Sequence, residues 1–417
     1  MTKDSDRALE IVSLMIFGTF MLVFGVLLFK IQDGALPYNS NGAYGLSLVL
    51  QGFLIVAMGR TPFGDFRRSW ALVLVGAGVA IFGMSACLLP GFFPHVPRLL
   101  TAVILLVGGL TLMVQLLISE NKALLWTSIG GALLNLTIAC ALVYALTAFV
   151  GLMTFDPDVA SLRSTALILL IYAASLFYLA FSLRLIPIAD SPQGARLASE
   201  AEAMERPAPL SDASLPLPLA LLILQATLLT LFGSLLIILI LLPLSGVREI
   251  AGVPLPSPSG EGNLGLMLVV MALNAMTLGS TPLGQFKLSP FITIIGLAFA
   301  AMGIVSLIAP GLLTGVISLL LGLINILQGM MGLARRFLPT LLGKTTPTPA
   351  ILPPELQKLE STQIAVNGLI IVFGASMLLP GAVPGILMPP LVFALGLLLF
   401  RIVAIQLELS ALQPAPA

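Results

Sequence analysis

Charge is what this sequence has least of. Asp, Glu, Lys and Arg make up 9% of the 417 residues, against 58% hydrophobic residues and a mean hydropathy of +1.10. A water-soluble globule needs far more polar surface than this, so the composition points to the bilayer as solvent. The 19 basic residues are balanced by 18 acidic ones, which leaves no basic field to attract nucleic acid. Histidine is nearly missing: His95 stands alone, whereas a metal or haem centre needs several ligands at helical or hairpin spacing. No cofactor and no metal site are expected. The two cysteines, Cys87 and Cys140, fall inside apolar runs and read as small buried hydrophobes rather than as redox groups. No Walker loop, Gly-x-Ser-x-Gly elbow, His-Glu-x-x-His pair or intramembrane acidic pair occurs, and the expectation is a protein without catalytic chemistry.

Long apolar runs are what fills the chain. A helix needs about 20 mostly apolar residues to span a bilayer, and twelve such stretches can be marked. The first six run from Glu10 to Ile31, Ala43 to Gly59, Trp70 to Leu89, Arg98 to Ile118, Leu125 to Met153 and Thr165 to Ile188. The second six run from Leu217 to Leu242, Asn263 to Gly279, Pro290 to Ala309, Leu313 to Leu333, Thr362 to Leu379 and Gly385 to Leu407. A polar, proline-bearing linker over residues 189–216 separates the halves, and a second Thr- and Pro-rich linker lies near 335–360. The fold class is therefore all-α: a polytopic integral membrane protein with about 12 transmembrane helices. Its domains are a six-helix unit over 1–188, the linker, and a six-helix unit over 217–417.

The halves share a signature. Gly59-Arg-Thr-Pro-Phe-Gly-Asp-Phe-Arg-Arg68 recurs 220 residues later as Gly279-Ser-Thr-Pro-Leu-Gly-Gln-Phe-Lys-Leu288. Over 59–91 against 279–311, ungapped, 11 of 33 positions are identical, which chance does not supply. An even number of spans per copy inserts both in the same orientation, so the copies are expected to be parallel rather than inverted repeats. Cytoplasmic loops carry the excess of Lys and Arg. With both termini inside, that face and its helix ends hold 15 of the 19 basic residues, leaving Lys30, Arg98, Arg163 and Arg248 outside. This assigns the chain to a membrane of the bacterial inner (cytoplasmic) kind with both termini in the cytoplasm.

Candidate functional residues are few. Arg60, Asp65, Arg67, Arg68 and Trp70, with Lys287 in the second copy, form a basic and aromatic belt suited to lipid headgroups or to another membrane subunit. The plainer reading is a turn and an anchor. Among the uncharged polar residues of the apolar runs (Gln51, Gln115, Gln225 and Gln328 with four asparagines), Asn135, Asn274, Asn325 and Asn367 are candidates for a path taken by a neutral solute. Their plainer reading is hydrogen bonding between helices. No ionisable residue sits near the centre of a span, while Lys30, Arg184 and Arg401 lie late in theirs, where long side chains reach the interface. Glycines spaced by seven (Gly18 and Gly25, Gly76 and Gly83, Gly296 and Gly303) occupy single helix faces and read as packing seams.

Two resemblances follow from these residues. Trp70, Gly76, Gly83, Pro90 and Gly109, in a helix, Pro turn and returning helix, are similar to the hairpin of the HdeD-like acid-resistance membrane proteins, which implies a fused tandem of two six-helix units with a role in acid stress. Twelve helices, cytoplasmic termini, a long central loop and a motif duplicated after helices two and eight also resemble the major facilitator superfamily, which implies transport. The leading expectation is a non-catalytic stress component or structural subunit, partnered by membrane lipids and other membrane subunits; the alternative is a facilitator for a neutral or apolar solute. Reporter fusions at residue 1, residue 417 and within 189–216 are expected to give cytoplasmic readings at all three points, and a periplasmic reading at any of them overturns the assigned topology.

Overall fold

A backbone in hydrocarbon has no water to bond, so each spanning segment must satisfy its own N–H and C=O groups, and the helix is how a single segment does so. The computed structural model describes residues 2–58, 60–61, 64–65, 70–89, 95–118, 132–156, 161–185, 217–245, 249–250, 253–254, 260–278, 280–281, 284–285, 290–341, 354–379 and 385–412. Over them run twelve α-helices: α1 (Thr2–Gln32), α2 (Ser40–Met58), α3 (Trp70–Leu88), α4 (Val96–Ile118), α5 (Ala132–Phe155), α6 (Leu162–Leu185), α7 (Leu217–Leu244), α8 (Gly260–Leu278), α9 (Pro290–Ile308), α10 (Thr314–Leu341), α11 (Pro354–Leu378) and α12 (Met388–Leu412). Nine of these carry windows long and apolar enough to cross a membrane. In α2, α8 and α9 the apolar stretches among the described residues are Ser40–Val56, Leu264–Leu273 and Thr293–Ile308. This is the helical, multi-pass membrane architecture expected from the composition.

Helix ends follow local chemistry. Pro290 and Pro354 open α9 and α11, where the missing N–H costs nothing and φ is preset. α1 stops at Gly34, whose φ of 71° lets Gly34 N–H reach the Ile31 carbonyl and Ala35 N–H the Lys30 carbonyl, a Schellman closure. The Pro310-Gly311 turn after α9 uses the left-handed conformation expected of it, with Gly311 at φ 90°. Some boundaries run past the marked runs. Both ends of the linker placed near 335–360 are helical: α10 runs on to Leu341 and α11 starts at Pro354. The extensions are polar and so lay outside the hydrophobic runs; Arg336 of α10 and Glu360 of α11 form an ion pair across them.

The contacts group the chain into two units. The first comprises Met1–Leu36, Ala57–Leu74 and Arg98–Leu215, and so holds α1, α4, α5 and α6. Here α1 lies along α6: Gly18 faces the Phe177 ring, Gly25 faces the Ala166 carbonyl and Leu170, and Phe17 meets Tyr172 edge-on at 6.4 Å. The exposed ends of this pair carry Asp33 and Arg163, 4.0 Å apart. α4 crosses α5 where a methyl on Gly109 would lie 2.5 Å from the Ala148 nitrogen. Tyr172 and Thr147 join hydroxyls at 2.7 Å between α6 and α5, and Thr147 also donates to the Val143 carbonyl of its own helix.

The second unit comprises Pro37–Val56, Val75–Pro97 and Pro216–Ala417, which joins most of the α2–α3 hairpin to α7 through α12. α2 and α3 cross at paired glycines: a methyl on Gly45 would stand 2.5 Å from the Gly83 carbonyl oxygen, and one on Gly83 would stand 2.5 Å from that of Gly45. α8 and α9 cross in the same way, at 2.7 Å for Gly265 against Gly303 and 2.5 Å for the reverse. α10 and α11 meet through Gly322 and Gly374, each against the other's carbonyl. α7 and α12 close on Gly233 beside Phe393 and Gly396 beside Thr230. Apolar clusters fill the remaining space, one around Leu268, Ile317 and Leu321, another around Ala226, Val366, Leu399 and Ile402.

These crossings leave no room for a side chain. Gly83→Leu forces a side chain into a carbonyl of the facing helix and is expected to destabilise the detergent-solubilised protein by more than the roughly 1–3 kcal/mol typical of overpacking. Gly78, on the same helix, meets nothing within 4 Å, and Gly78→Ala is expected to gain up to about 1 kcal/mol from helix propensity. Thermal unfolding of the two variants checks the contrast.

Candidate functional site

The duplicated loop folds the same way twice. β1 (Arg60–Thr61) pairs antiparallel with β2 (Gly64–Asp65), with Arg60 opposite Asp65 and Thr61 opposite Gly64. β5 (Ser280–Thr281) pairs with β6 (Gly284–Gln285) in the identical register, Ser280 opposite Gln285 and Thr281 opposite Gly284. Each hairpin closes the connection that follows a 19-residue helix. The ladder thus brings together two residues that differ between the copies: the oppositely charged Arg60 and Asp65 occupy the cross-strand position held by the neutral Ser280 and Gln285. Arg67, Arg68 and Lys287 lie outside the described residues. Trp70 is the first residue of α3 and is 48% exposed, as an interfacial anchor would be.

A third hairpin was not foreseen. β3 (Glu249–Ile250) pairs with β4 (Val253–Pro254) in the connection between α7 and α8, Ile250 opposite Val253. Ala251-Gly252 between two β-branched residues was the available signal, since a two-residue hairpin favours Gly in its turn.

The asparagines proposed as a polar path fall in both units. Asn135, on α5 of the first unit, is exposed. Asn325 and Asn367 belong to the second unit and are half-buried. The Asn367 amide occupies the notch left by Gly332, where a methyl would stand 2.5 Å from its nitrogen, and its carbonyl lies against Gly329. Asn325 shares the α10 face of Gly322, Gly329 and Gly332 by helical spacing. These two therefore sit along a helix seam. The side chain of Asn274, on α8, lies outside the described residues.

Other polar groups of the spans are mostly satisfied by their own helix. Thr19, Ser85, Thr154, Thr227 and Thr230 each donate a hydroxyl to the carbonyl four residues earlier. Lys30, Arg184 and Arg401 are exposed, in keeping with side chains that extend to the interface. Cys87 and Cys140 are buried and not joined in a disulfide; the Cys87 thiol donates to the Gly42 carbonyl at 3.6 Å.

Gln51 departs from this economy. It is 6% exposed on α2, its amide nitrogen donates to Ser47 Oγ at 3.1 Å, and its buried Oε1 has no hydrogen-bond partner among the described residues. The 220-residue displacement puts Met267 and Met271 at the corresponding places, and those side chains pack into the apolar cluster around Leu268, Ile317 and Leu321. Nothing in the sequence of α2 alone distinguishes Gln51 from the other glutamines. The 220-residue displacement does, because it sets an apolar Met271 against the amide of Gln51. A cleft in the second unit, on the face carrying Val49 and Phe53, is apolar apart from Gln225.

An opposite-charge pair placed face to face across an antiparallel ladder couples by about 0.2–1 kcal/mol. In a double-mutant cycle, Arg60→Ser and Asp65→Gln are each expected to cost stability, while the double variant, which reproduces the second copy, is expected to cost less than the two together; additivity would mean that the pair is not coupled. No protein-family model, curated protein or solved structure matches this chain.

Proposed function

We propose that the chain is a non-catalytic multi-pass protein of the bacterial inner membrane, built of two parallel six-helix repeats with both termini cytoplasmic. In this reading it acts as an HdeD-like stress component or as a structural subunit that packs against other membrane proteins. The observation that carries the repeat is the recurrence of reciprocal glycine contacts at the same displacement. Gly45 and Gly83 press on each other's carbonyls, and so do Gly265 and Gly303, each 220 residues on. Pairings recur with them: α1 with α6 as α7 with α12, α2 with α3 as α8 with α9, and α4 with α5 as α10 with α11. Helices seamed this closely favour a packed scaffold. The seam position of Asn367 and the apolar lining of the cleft beside α2 speak for the same reading.

A facilitator for a neutral solute is the second reading, and Gln51 is what favours it: a buried amide oxygen with no partner among the described residues is costly in a spanning helix and is kept where it serves a purpose. Purification in mild detergent, together with flux measurements on small neutral solutes in proteoliposomes, separates the two. The structural reading expects stoichiometric membrane partners, no flux above empty vesicles, and a Gln51→Met variant at least as stable as the parent. Flux that is abolished in Gln51→Met, with a monodisperse protein lacking partners, would overturn it in favour of the facilitator.

A further inference from the structure

The α2–α3 hairpin belongs to the first half by sequence, yet its contacts place it in the unit formed by α7 through α12. Three features fasten it there. At the start of α2, Asn39 Oδ1 accepts from Gly42 N–H at 3.0 Å and caps the helix, while the Asn39 backbone N–H donates to the Ile308 carbonyl at 2.9 Å. That carbonyl is the last of α9, one of the groups a helix end leaves without an internal partner, so the start of α2 closes the end of α9. At Gly42 the backbones come so close that a Cβ would lie 2.6 Å from the Leu307 carbonyl oxygen, and the Gly42 carbonyl takes the Cys87 thiol from α3. Further along, Val49 and Phe53 face Leu224 and Leu228 of α7 and Leu273 of α8 around the apolar cleft.

On the reading of the chain as two six-helix repeats, we infer that α2–α3 is an exchanged hairpin. The first repeat lends it to the second, whose α7, α8 and α9 present the receiving surface, and the partner that surface fits is the hairpin of the same chain. The close of α9 by Asn39 and the Gly42–Leu307 approach form the lock. It follows that the polar segment over 189–216 does not hold the halves together, because the hairpin does so without it.

Insertion of a protease site within 189–216 of the full-length protein tests this. After cleavage in mild detergent, the two pieces are expected to co-elute in one-to-one stoichiometry at the mass of the uncleaved chain. Gly42→Leu, or Gly42→Ala if the larger change prevents folding, is expected to leave an uncleaved protein that is monodisperse but separates on cleavage. Gly78→Leu, on a part of α3 that meets nothing within 4 Å, is expected to keep the pieces together. Separation of the parent into two monodisperse pieces overturns the exchange and leaves the repeat reading standing. Aggregation of both pieces overturns the repeat reading itself, since neither half is then a folding unit. Co-elution that persists in the Gly42 variants overturns the assignment of the lock, and an uncleaved chain of twice the expected mass shows that the hairpin seats on a second copy instead.

Discussion

Apolar helices in a bilayer gain nothing by hiding their side chains from one another, because lipid tails are as apolar as leucine. What holds them together is close approach, and close approach is limited by the side chain at the crossing point. In this protein the limit is removed at paired glycines. Where Gly45 meets Gly83, Gly265 meets Gly303 and Gly322 meets Gly374, no atom stands between one backbone and the carbonyls of the next. The larger side chains then fill what the backbone approach leaves open, as Met276 does over Gly296 and Phe177 over Gly18.

Polar groups follow from the same scarcity of partners. A hydroxyl in hydrocarbon gains from an acceptor, and Thr19, Ser85 and Thr227 find one in the preceding turn of their own helix. That arrangement costs no helix-to-helix specificity and confers none. Polar links between helices among the described residues include Tyr172 with Thr147 in the first unit, and Asn39 with Ile308 and Cys87 with Gly42 in the second. Gln51 has half of its amide satisfied by Ser47, one turn away, and the other half by nothing among the described residues. A residue in that condition is a cost to the fold, and the methionine at the matching place in the other copy removes that cost.

Much of the fold was legible because hydrophobic length and helix formation are the same requirement in a membrane. All twelve runs became helices, and Trp70 to Leu88 differs from its expected end by one residue. The continuations of α10 and α11 past the marked runs were not legible, since charged residues end a hydrophobic run whether or not the helix goes on, and it is there that Arg336 and Glu360 pair. The duplicated loop was visible as a motif, but its register was not. Only the ladder reveals that Arg60 and Asp65, taken separately as contacts for a partner, stand opposite each other. The asparagine set rested on residue type alone, and burial divides it: Asn135 is exposed and Asn367 is fitted to a glycine notch.

The sequence by itself determined the helical, apolar class of this protein, the order of the twelve helices among the described residues, and the recurrence of a loop motif and of glycines at a displacement of 220 residues. Each of these is local or periodic: a run of about 20 apolar residues can do little else in a membrane, and a Gly repeated at seven-residue intervals must mark one helix face. Which face meets which helix was decided only in three dimensions. The glycine stripe of α2 contacts α3 at Gly45, and its first turn reaches α9 at Gly42, some 265 residues away in the chain. No periodicity encodes that pairing, because it depends on the simultaneous fit of several helices, each of which satisfies its own backbone whatever its neighbour is.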